Sequence, residues 1–249
     1  MRTVEAIRYV APLRQGGSLP ALVEADDDGL YVVKLRGAGQ GPLALVAEMV
    51  VGELARALGL RVPELVVACL DPHIADAEPD PEIQELLQAS AGANAGLDFL
   101  PGSLTYLPGG GLEVPAEEAA AVVWLDALTE NVDRTPRNTN LLVWHGQLWL
   151  IDHGAALYRQ HAGLDPTAAG DVFAPIVDHV LLAQAAPIDA ADERLSPIVD
   201  RPLLESLTAK VPQDWFQGSG PEAYVEYLLA RMAGPRRWVA HAEEARARG

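Results

Sequence analysis

A short hairpin flanked by polar residues constrains the fold of this 249-residue chain more than any other feature. Residues 141–144 and 147–151 form two runs rich in β-branched, aromatic and aliphatic side chains, and a two-residue His-Gly turn separates them. A hairpin returns the chain to the place where it started. Asp133 and Asn138, which precede the hairpin, are therefore expected to lie near Asp152, which follows it.

Three converging oxygen-bearing side chains suggest metal-assisted chemistry on a phosphate. Carboxylate and amide oxygens are suitable ligands for Mg²⁺, which usually arrives bound to substrate phosphates. In phosphoryl-transfer loops one Asp orients a hydroxyl, while an Asn and a second Asp hold the metal. Asp and Asn are also the residues that turns favour, so they could instead shape the ends of a surface hairpin. This segment alone leaves the two interpretations open.

The N-terminal third favours the phosphoryl-transfer interpretation. The last of three predicted strands carries Lys34 inside an apolar run, and the predicted helix that follows carries Glu48 near its start. A strand Lys paired with a helix Glu is the arrangement that holds an ammonium group against nucleotide phosphates. A lone Lys in a strand is more often a solvent-facing residue, so the argument depends on the order of the parts.

A small turn between the first two predicted strands contains Gly16, Gly17 and Ser18. Without a side chain at the glycines, backbone N–H groups there could approach phosphates closely. A Gly-Gly turn is a weak signal by itself. It gains weight because the turn, the strand Lys, the helix Glu and the polar residues around the hairpin follow one another in the expected order.

The chain resembles the HipA-like kinases, bacterial relatives of the protein-kinase and phosphoinositide-kinase folds. The resemblance spans about residues 4–229 and rests on Tyr31-Val-Val-Lys-Leu35, on residues 47–63, and on residues 133–138 with 150–154. It implies an α+β, bilobal protein-kinase-like fold with a small antiparallel β-sheet and one helix in the N-lobe and a mainly helical C-lobe. The implied domain is single and covers residues 1–249, divided into an N-lobe at 1–96, a hinge at 97–106 and a C-lobe at 107–249.

The resemblance also implies a role for each matching residue. Lys34 would contact the α- and β-phosphates of ATP and Glu48 would pair with it. Asp133 would be the catalytic base or the residue that orients the hydroxyl. The remaining implied contacts are Mg²⁺ ligation by Asn138 and Asp152, phosphate cover by Gly16, Gly17 and Ser18, and adenine contact at the hinge by Phe99 and Leu100.

Several positions depart from the family pattern. Thr135 stands where relatives commonly carry His, and His153 follows Asp152 where kinases commonly carry Phe. Asn140 competes with Asn138 as the metal ligand, and Glu53 competes with Glu48, although five residues place it on another helix face. None of these departures removes a metal-binding oxygen, so an active enzyme is expected. In some HipA-type proteins a Ser of the phosphate loop is itself phosphorylated, and Ser18 lies where that would occur.

Composition limits the class of partner. A net charge of −17 disfavours direct binding to nucleic acid, which needs a basic face, and no apolar run is long enough to cross a membrane. The single Cys69 lies in an apolar run and excludes a disulfide framework. Without a signal-peptide pattern at the N-terminus, a cytoplasmic location is expected, where ATP and Mg²⁺ are available.

The predicted activity is ATP- and Mg²⁺-dependent transfer of the γ-phosphoryl group to a hydroxyl of a protein Ser or Thr, with autophosphorylation as a possible accompaniment. A small-molecule kinase on the same scaffold and a non-catalytic nucleotide-binding regulator are the alternatives. The acceptor, the oligomeric state and a regulatory partner protein, such as the antitoxin of a toxin–antitoxin pair, stay open.

The other predicted elements fill the rest of the chain. Residues 91–102 are predicted to be a flexible loop, and Asp178-His179 to face solvent or a lobe interface. His153 is expected to bond to backbone in its turn. Strands are predicted at residues 4–13, 21–25, 30–35 and 65–70, and helices at residues 43–58, 82–89, 116–129, 171–184, 201–210, 221–232 and 236–248.

Overall fold

The N-terminal lobe is a closed β-barrel. The computed structural model describes residues 1–13, 19–39, 41–76 and 78–248. The strands follow one another around the barrel in the order β1-β2-β3-β5-β4. Their bounds are Arg2–Pro12 for β1, Ala21–Ala25 for β2, Leu30–Lys34 for β3, Leu65–Leu70 for β4 and Gly92–Asp98 for β5.

One strand pair of the barrel departs from the purely antiparallel sheet that was expected. β1 and β4 run parallel, whereas the other four pairs are antiparallel. β3 and β4 also run in the same direction on either side of β5, and helix α1, Pro42–Ala57, makes the crossover between them. The crossover therefore places α1 against the barrel, directly after the strand that ends at Lys34.

Strand β5 was predicted to be a flexible loop, and that prediction was wrong. Its sequence is rich in Gly and Ala, which strands normally disfavour. The small residues are needed here because β5 pairs on both edges, with β3 and β4. A Cβ added to Gly96 would lie 2.7 Å from a methyl carbon of Val66. Two-sided pairing and close packing supply the stability that local propensity lacks.

The N-lobe contains a second helix, α2, Pro81–Ala89. The family resemblance implied a single helix in this lobe, whereas the sequence pattern predicted a helix at residues 82–89. Asp80 caps it by accepting a hydrogen bond from the backbone N–H of Glu82 at 3.0 Å. A 3-10 helix, Pro72–Ala75, precedes it. Both pack on the barrel, through Ala75, Ile83 and Leu87.

The C-terminal lobe is mainly helical and carries a three-stranded sheet of order β6-β7-β8. His145 and Gly146 both adopt positive φ, 49° and 71°, as a two-residue turn between β7 and β8 requires, so the predicted hairpin is confirmed. The elements are β6 Leu104–Thr105, β7 Leu141–Trp144, β8 Gln147–Leu150, α3 Ala116–Thr129, α4 Ile188–Leu195, α5 Arg201–Thr208, α6 Gly220–Met232 and α7 Arg237–Arg248.

Helix α3 is the central helix of this lobe. All of its residues from Ala119 to Thr129 are buried, and they share one hydrophobic core with α1, α4, α6 and α7. None of the helices in the described part of the chain is long and apolar enough to cross a membrane.

The predicted helix at residues 171–184 is absent. Two short 3-10 helices, Ala174–Asp178 and Leu182–Gln184, take its place, and Pro175 lacks the N–H that a continuous helix would use. The backbone N–H of Val180 instead donates to the carbonyl oxygen of Arg134 at 3.1 Å. Helix α4, Ile188–Leu195, was not predicted; it begins after Pro187 and packs on α3.

Candidate active site

Lys34, Glu48 and Asp152 form a compact group that we call the cleft cluster. Lys34 ends β3, Glu48 lies in the second turn of α1, and Asp152 follows β8. The Lys34 Nζ lies 2.6 Å from Glu48 Oε2 and 2.5 Å from Asp152 Oδ1. Three segments that are distant in sequence therefore meet at one ammonium group, as the order of the motifs predicted. Glu53, the competing acid on α1, is paired elsewhere, with Lys210.

The charges of the cleft cluster are unequal. Burial alone would lower the pKa of Lys34, but the adjacent carboxylates of Glu48 and Asp152 outweigh it and raise that pKa. Burial would raise the pKa of Asp152, yet the Lys34 ammonium holds it below its ordinary value. Two carboxylates share one cation. The cluster is therefore suited to a further positive charge on the side of Asp152, whose side chain is 38% exposed.

Asp152 is held in an unusual backbone conformation. Its φ is 57°, in the left-handed region that residues other than Gly seldom adopt, although Asp tolerates it better than most. The turn continues through Gly154, which lies against the start of α1 near Ala44. The conformation directs the Asp152 carboxylate back toward β3 and Lys34.

The loop that precedes the hairpin surrounds the carboxylate of Asp133 with amides. Asn138 Nδ2 donates to Asp133 Oδ2 at 2.8 Å, and Asn140 Nδ2 donates to the same oxygen at 3.2 Å. The side-chain oxygen of Asn131 accepts the backbone N–H of Asp133 at 3.1 Å. Both amides therefore approach Asp133 through nitrogen, which leaves each amide oxygen for other partners. Thr135 and Asn138 close the loop through reciprocal backbone hydrogen bonds.

A second group of ionisable side chains lies in the interior next to this loop, and we call it the interior cluster: Asp126, Arg134, His153 and His179. All four residues are buried. Arg134 Nε lies 2.5 Å from Asp126 Oδ2, and His179 Nε2 lies 2.9 Å from the same oxygen. Arg134 Nη2 approaches His153 Nδ1 at 3.4 Å.

Arg134 also fastens the two loops of the candidate site to each other. Its Nη1 donates to the carbonyl oxygen of Asn140 at 2.5 Å and to that of Ile151 at 3.4 Å. The backbone N–H of Ile151 in turn donates to the carbonyl oxygen of Asn140 at 3.1 Å. The chain just before Asp152 is therefore bound to the chain just after Asn138, which is the convergence that the hairpin predicted.

Burial and the Arg134 guanidinium set the protonation of the interior cluster. Burial would raise the pKa of Asp126, but Arg134 and His179 outweigh it and lower that pKa to about 2. Burial lowers the pKa of His153 to about 3, and the Arg134 charge adds to the effect. Burial also lowers the pKa of His179, although Asp126 opposes it. Both imidazoles are therefore neutral at neutral pH, and Asp126 with Arg134 forms the charged pair.

Sequence reasoning missed the interior cluster. Asp178-His179 was expected to face solvent or a lobe interface, but His179 is buried against Asp126. His153 was expected to bond to backbone, but its ring lies between Arg134 and α1. One signal was available: Asp126 is the only charged residue in the apolar part of α3, and a buried acid requires a cation. The sequence could not indicate which basic side chain would pair with Asp126.

The remaining candidate residues lie outside this group of contacts. Gly16, Gly17 and Ser18 lie outside the described residues. Phe99 donates its backbone N–H to the carbonyl oxygen of Leu30 at 2.9 Å, and Leu100 is buried between β5 and β6. This connection passes from the barrel to the C-terminal lobe, and its contact with adenine remains a prediction.

The described residues contain no group of three or more His, Cys, Asp or Glu side chains that could hold a metal ion unaided. A cation at Asp152 would need additional oxygens. The amide oxygens of Asn138 and Asn140 and the phosphates of a nucleotide are ligands of the right chemistry, because Mg²⁺ prefers hard oxygen donors and commonly keeps substrate phosphates among them.

Known proteins match this chain over most of its length. A family model described as HipA-like kinase matches residues 6–233. No curated protein matches. The structure of the Helicobacter pylori proinflammatory kinase CtkA superposes with a TM-score of 0.59 at 15% identity, over 99% of both chains.

A second solved structure is the Golgi casein kinase with Mn and ADP bound. It has a TM-score of 0.54 at 14% identity and covers 98% of this chain and 73% of that one. At these identities the likeness shows the fold alone, and it confirms the bilobal, kinase-like α+β architecture. Because the family model spans nearly the whole described chain, this protein belongs to the HipA-like kinase family and is an ATP-dependent kinase.

Proposed function

We propose that this kinase transfers the γ-phosphoryl group of ATP to a protein Ser or Thr hydroxyl in a Mg²⁺-dependent reaction. The observation that carries the proposal is the cleft cluster, where Lys34 is held by Glu48 and Asp152 beside the loop of Asp133. The protein acceptor is favoured because the family is one of kinases and a structural neighbour is named as a casein kinase.

Each residue of the site has a role in this proposal. Lys34 contacts the phosphates of ATP, and Glu48 fixes its position. Asp133 orients the acceptor hydroxyl and accepts its proton as the oxygen attacks the γ-phosphorus. The bond from that phosphorus to the bridging oxygen breaks, and ADP leaves with the electron pair. Because little covalent chemistry is required of the protein, positioning and charge neutralisation supply most of the rate enhancement.

Divalent metal would be held by Asp152 and by the amide oxygen of Asn138 or Asn140. The donor set fits Mg²⁺, because the cleft cluster has an excess of carboxylate and Asp152 is partly exposed. When bound, the metal would neutralise charge on the phosphates. Substitution distinguishes the two amides. Replacing the one that binds metal should raise the Mg²⁺ concentration needed for half-maximal activity, and replacing the other should not.

The test is Mg²⁺-dependent ATP turnover and self-labelling of the purified chain, beside Asp133→Ala and Asp152→Ala. Both variants should lose transfer. Asp152→Ala should also weaken binding of Mg-ATP, whereas Asp133→Ala should leave binding largely intact, because Asp133 acts on the acceptor. Asp189→Ala, an exposed acid on α4, is the control and should behave like wild type.

The pattern of labelling distinguishes the acceptors. Mass spectrometry of self-labelled chain tests whether Ser18 is phosphorylated. Labelling of an added protein substrate supports protein Ser/Thr specificity, whereas ATP turnover that rises only with a small-molecule alcohol supports the alternative acceptor. Full activity in either Ala variant would overturn the site, and Mg-ATP binding without turnover or labelling would favour a regulator.

A further inference from the structure

Helix α1 is fastened to the C-terminal lobe on a face away from the cleft. Glu53 Oε2 lies 2.7 Å from Nζ of Lys210, two residues beyond the end of α5. Glu53 follows Glu48 by five residues, which rotates it about 140° around the helix axis. One face of α1 therefore presents Glu48 to Lys34, while another presents Glu53 to the C-terminal lobe.

The segment that contains Lys210 contacts the N-lobe at two further places. We call residues 209–216 the anchor segment. Asp214 Oδ2 lies 3.5 Å from Nη2 of Arg36, two residues after Lys34. Trp215 and Phe216 are fully buried in the core that includes Met49 and Val50 of α1. The anchor segment thus contacts α1, which carries Glu48, and the chain two residues beyond the end of β3, which carries Lys34.

The anchor segment is itself well fixed. Backbone hydrogen bonds join Lys210 to Leu207 and Val211 to Thr208, both at 3.2 Å, and Val211 is buried. The side chain of Glu53 is only 15% exposed and that of Lys210 is 34% exposed, so the pair is more shielded than an ordinary surface ion pair. A fixed partner and partial burial make this contact able to hold the helix in place.

We infer that Glu53 and Lys210 are positioning residues for phosphoryl transfer, because they hold α1 where Glu48 can contact Lys34. The inference rests on the proposed function of Lys34 and Glu48. Asp152 belongs to the hairpin of the C-terminal lobe, whereas Glu48 belongs to the N-lobe, so the cleft cluster forms only when α1 is correctly placed against that lobe. The anchor segment supplies this placement.

Charge reversal at Lys210 is the most informative change. Arg56 Nε lies 3.7 Å from Glu53, so a simple truncation of Lys210 leaves Glu53 with another cation. Lys210→Glu places two carboxylates face to face and should move α1 away. Lys210→Arg preserves the pair. Arg201→Glu on α5 is the matched control, because Arg201 pairs with Glu222 and Glu226 inside the C-terminal lobe.

The expected kinetic result is a loss of about tenfold in kcat/KM for ATP in Lys210→Glu, near-wild-type values in Lys210→Arg, and a change below about twofold in Arg201→Glu. The loss should disappear when Glu48→Ala is already present, because that variant lacks the side chain through which the effect acts. A structural effect on folding alone would give the same loss in both backgrounds. The inference would be overturned by the same loss in both backgrounds. Equal losses in Lys210→Glu and Arg201→Glu, or no loss in Lys210→Glu, would also overturn it.

Hydrogen exchange separates this inference from the proposed function. Backbone amides of α1 should exchange faster in Lys210→Glu than in Arg201→Glu, whether or not the protein transfers phosphate. If wild type is inactive but α1 exchange rises only in Lys210→Glu, the proposed function fails while the anchoring of α1 stands. Unchanged exchange in α1 would overturn the anchoring itself.

Discussion

The cleft cluster and the interior cluster each join acidic side chains to one cation, but the cleft has an excess of negative charge while the charges of the interior are balanced. In the cleft cluster one cation, Lys34, faces two carboxylates, and Asp152 is partly exposed. In the interior cluster one cation, Arg134, faces one carboxylate, Asp126, and both side chains are wholly buried. The closest contacts in the two clusters are equally short, at 2.5 Å, so distance does not distinguish them.

The difference lies in how completely each cluster satisfies its own charges. The other N–H groups of Arg134 contact backbone carbonyl oxygens and His153. His179 is a second partner of Asp126. Such a network resists change, because removing one member leaves a buried charge alone. The cleft cluster keeps an excess of negative charge at a surface that substrate can reach. We therefore expect substitutions in the cleft to reduce activity and substitutions in the interior to reduce stability.

The largest effect is expected for Asp152→Asn. Loss of the carboxylate removes the proposed metal ligand and should lower kcat/KM on the order of 10³-fold. The midpoint of urea unfolding should fall only slightly, because Asp152 is partly exposed and Glu48 remains beside Lys34. Steady-state phosphotransfer and urea titration of the same preparation check both parts. Activity within tenfold of wild type would remove Asp152 from the reaction.

The reverse pattern is expected for Asp126→Ala. The variant leaves Arg134 buried without its carboxylate, and such a loss destabilises proteins by about 3–5 kcal/mol. Glu118→Ala on the same helix is the control, because Glu118 forms a half-exposed pair with Arg61 and should change stability by about 1 kcal/mol or less. Urea unfolding measures both. Equal stabilities in the two variants would show that the interior cluster is not a structural support.

The same contrast explains what the sequence could predict. Lys34, Glu48 and Asp152 each occupy a position that local pattern defines, namely the end of a strand, the second turn of a helix and the turn after a hairpin. Their order along the chain predicts these three residues without any knowledge of their contacts. The hairpin turn itself was predictable, because His-Gly between two apolar runs allows positive φ at both residues.

Other features depend on contacts between distant segments and have no local signal. Strand β5 is made of residues that disfavour strands, and pairing with β3 and β4 decides its structure. The chain after the 3-10 helix Ala174–Asp178 is held by a distant contact, because the backbone N–H of Val180 donates to the carbonyl oxygen of Arg134. The partner of Asp126 was equally hidden, since Arg134 and His179 are 8 and 53 residues away from it. Tertiary packing decided each of these features.

Acid should weaken the interior cluster at a defined pH. The pKa of Asp126 is lowered from its ordinary 3.8 to about 2, so the unfolded chain takes up this proton at a higher pH than the folded one. The stability from Asp126 is therefore complete above about pH 4 and is lost as the pH falls toward 2. Its size is about 2 kcal/mol.

The measurement is the free energy of unfolding of wild type and Asp126→Asn at several values of pH between 2 and 5. The difference between the two proteins should be largest at pH 5 and should shrink by about 2 kcal/mol toward pH 2. A difference that stays constant over this range would mean that the pKa of Asp126 is the same in the folded and the unfolded chain.

The smallest effect, and the one that most refines the comparison, is expected for Glu48→Gln. Glu48 is wholly buried but belongs to the cleft cluster, and burial raises its pKa. A neutral amide keeps a hydrogen bond to Lys34, so transfer should fall only about tenfold, or about 1.4 kcal/mol. The urea midpoint should not fall, unlike that of Asp126→Ala. If Glu48→Gln unfolds as readily as Asp126→Ala, then burial rather than excess charge determines what each cluster does. If it keeps its stability and loses activity, the excess of carboxylate at Lys34 is what separates the cleft from the interior.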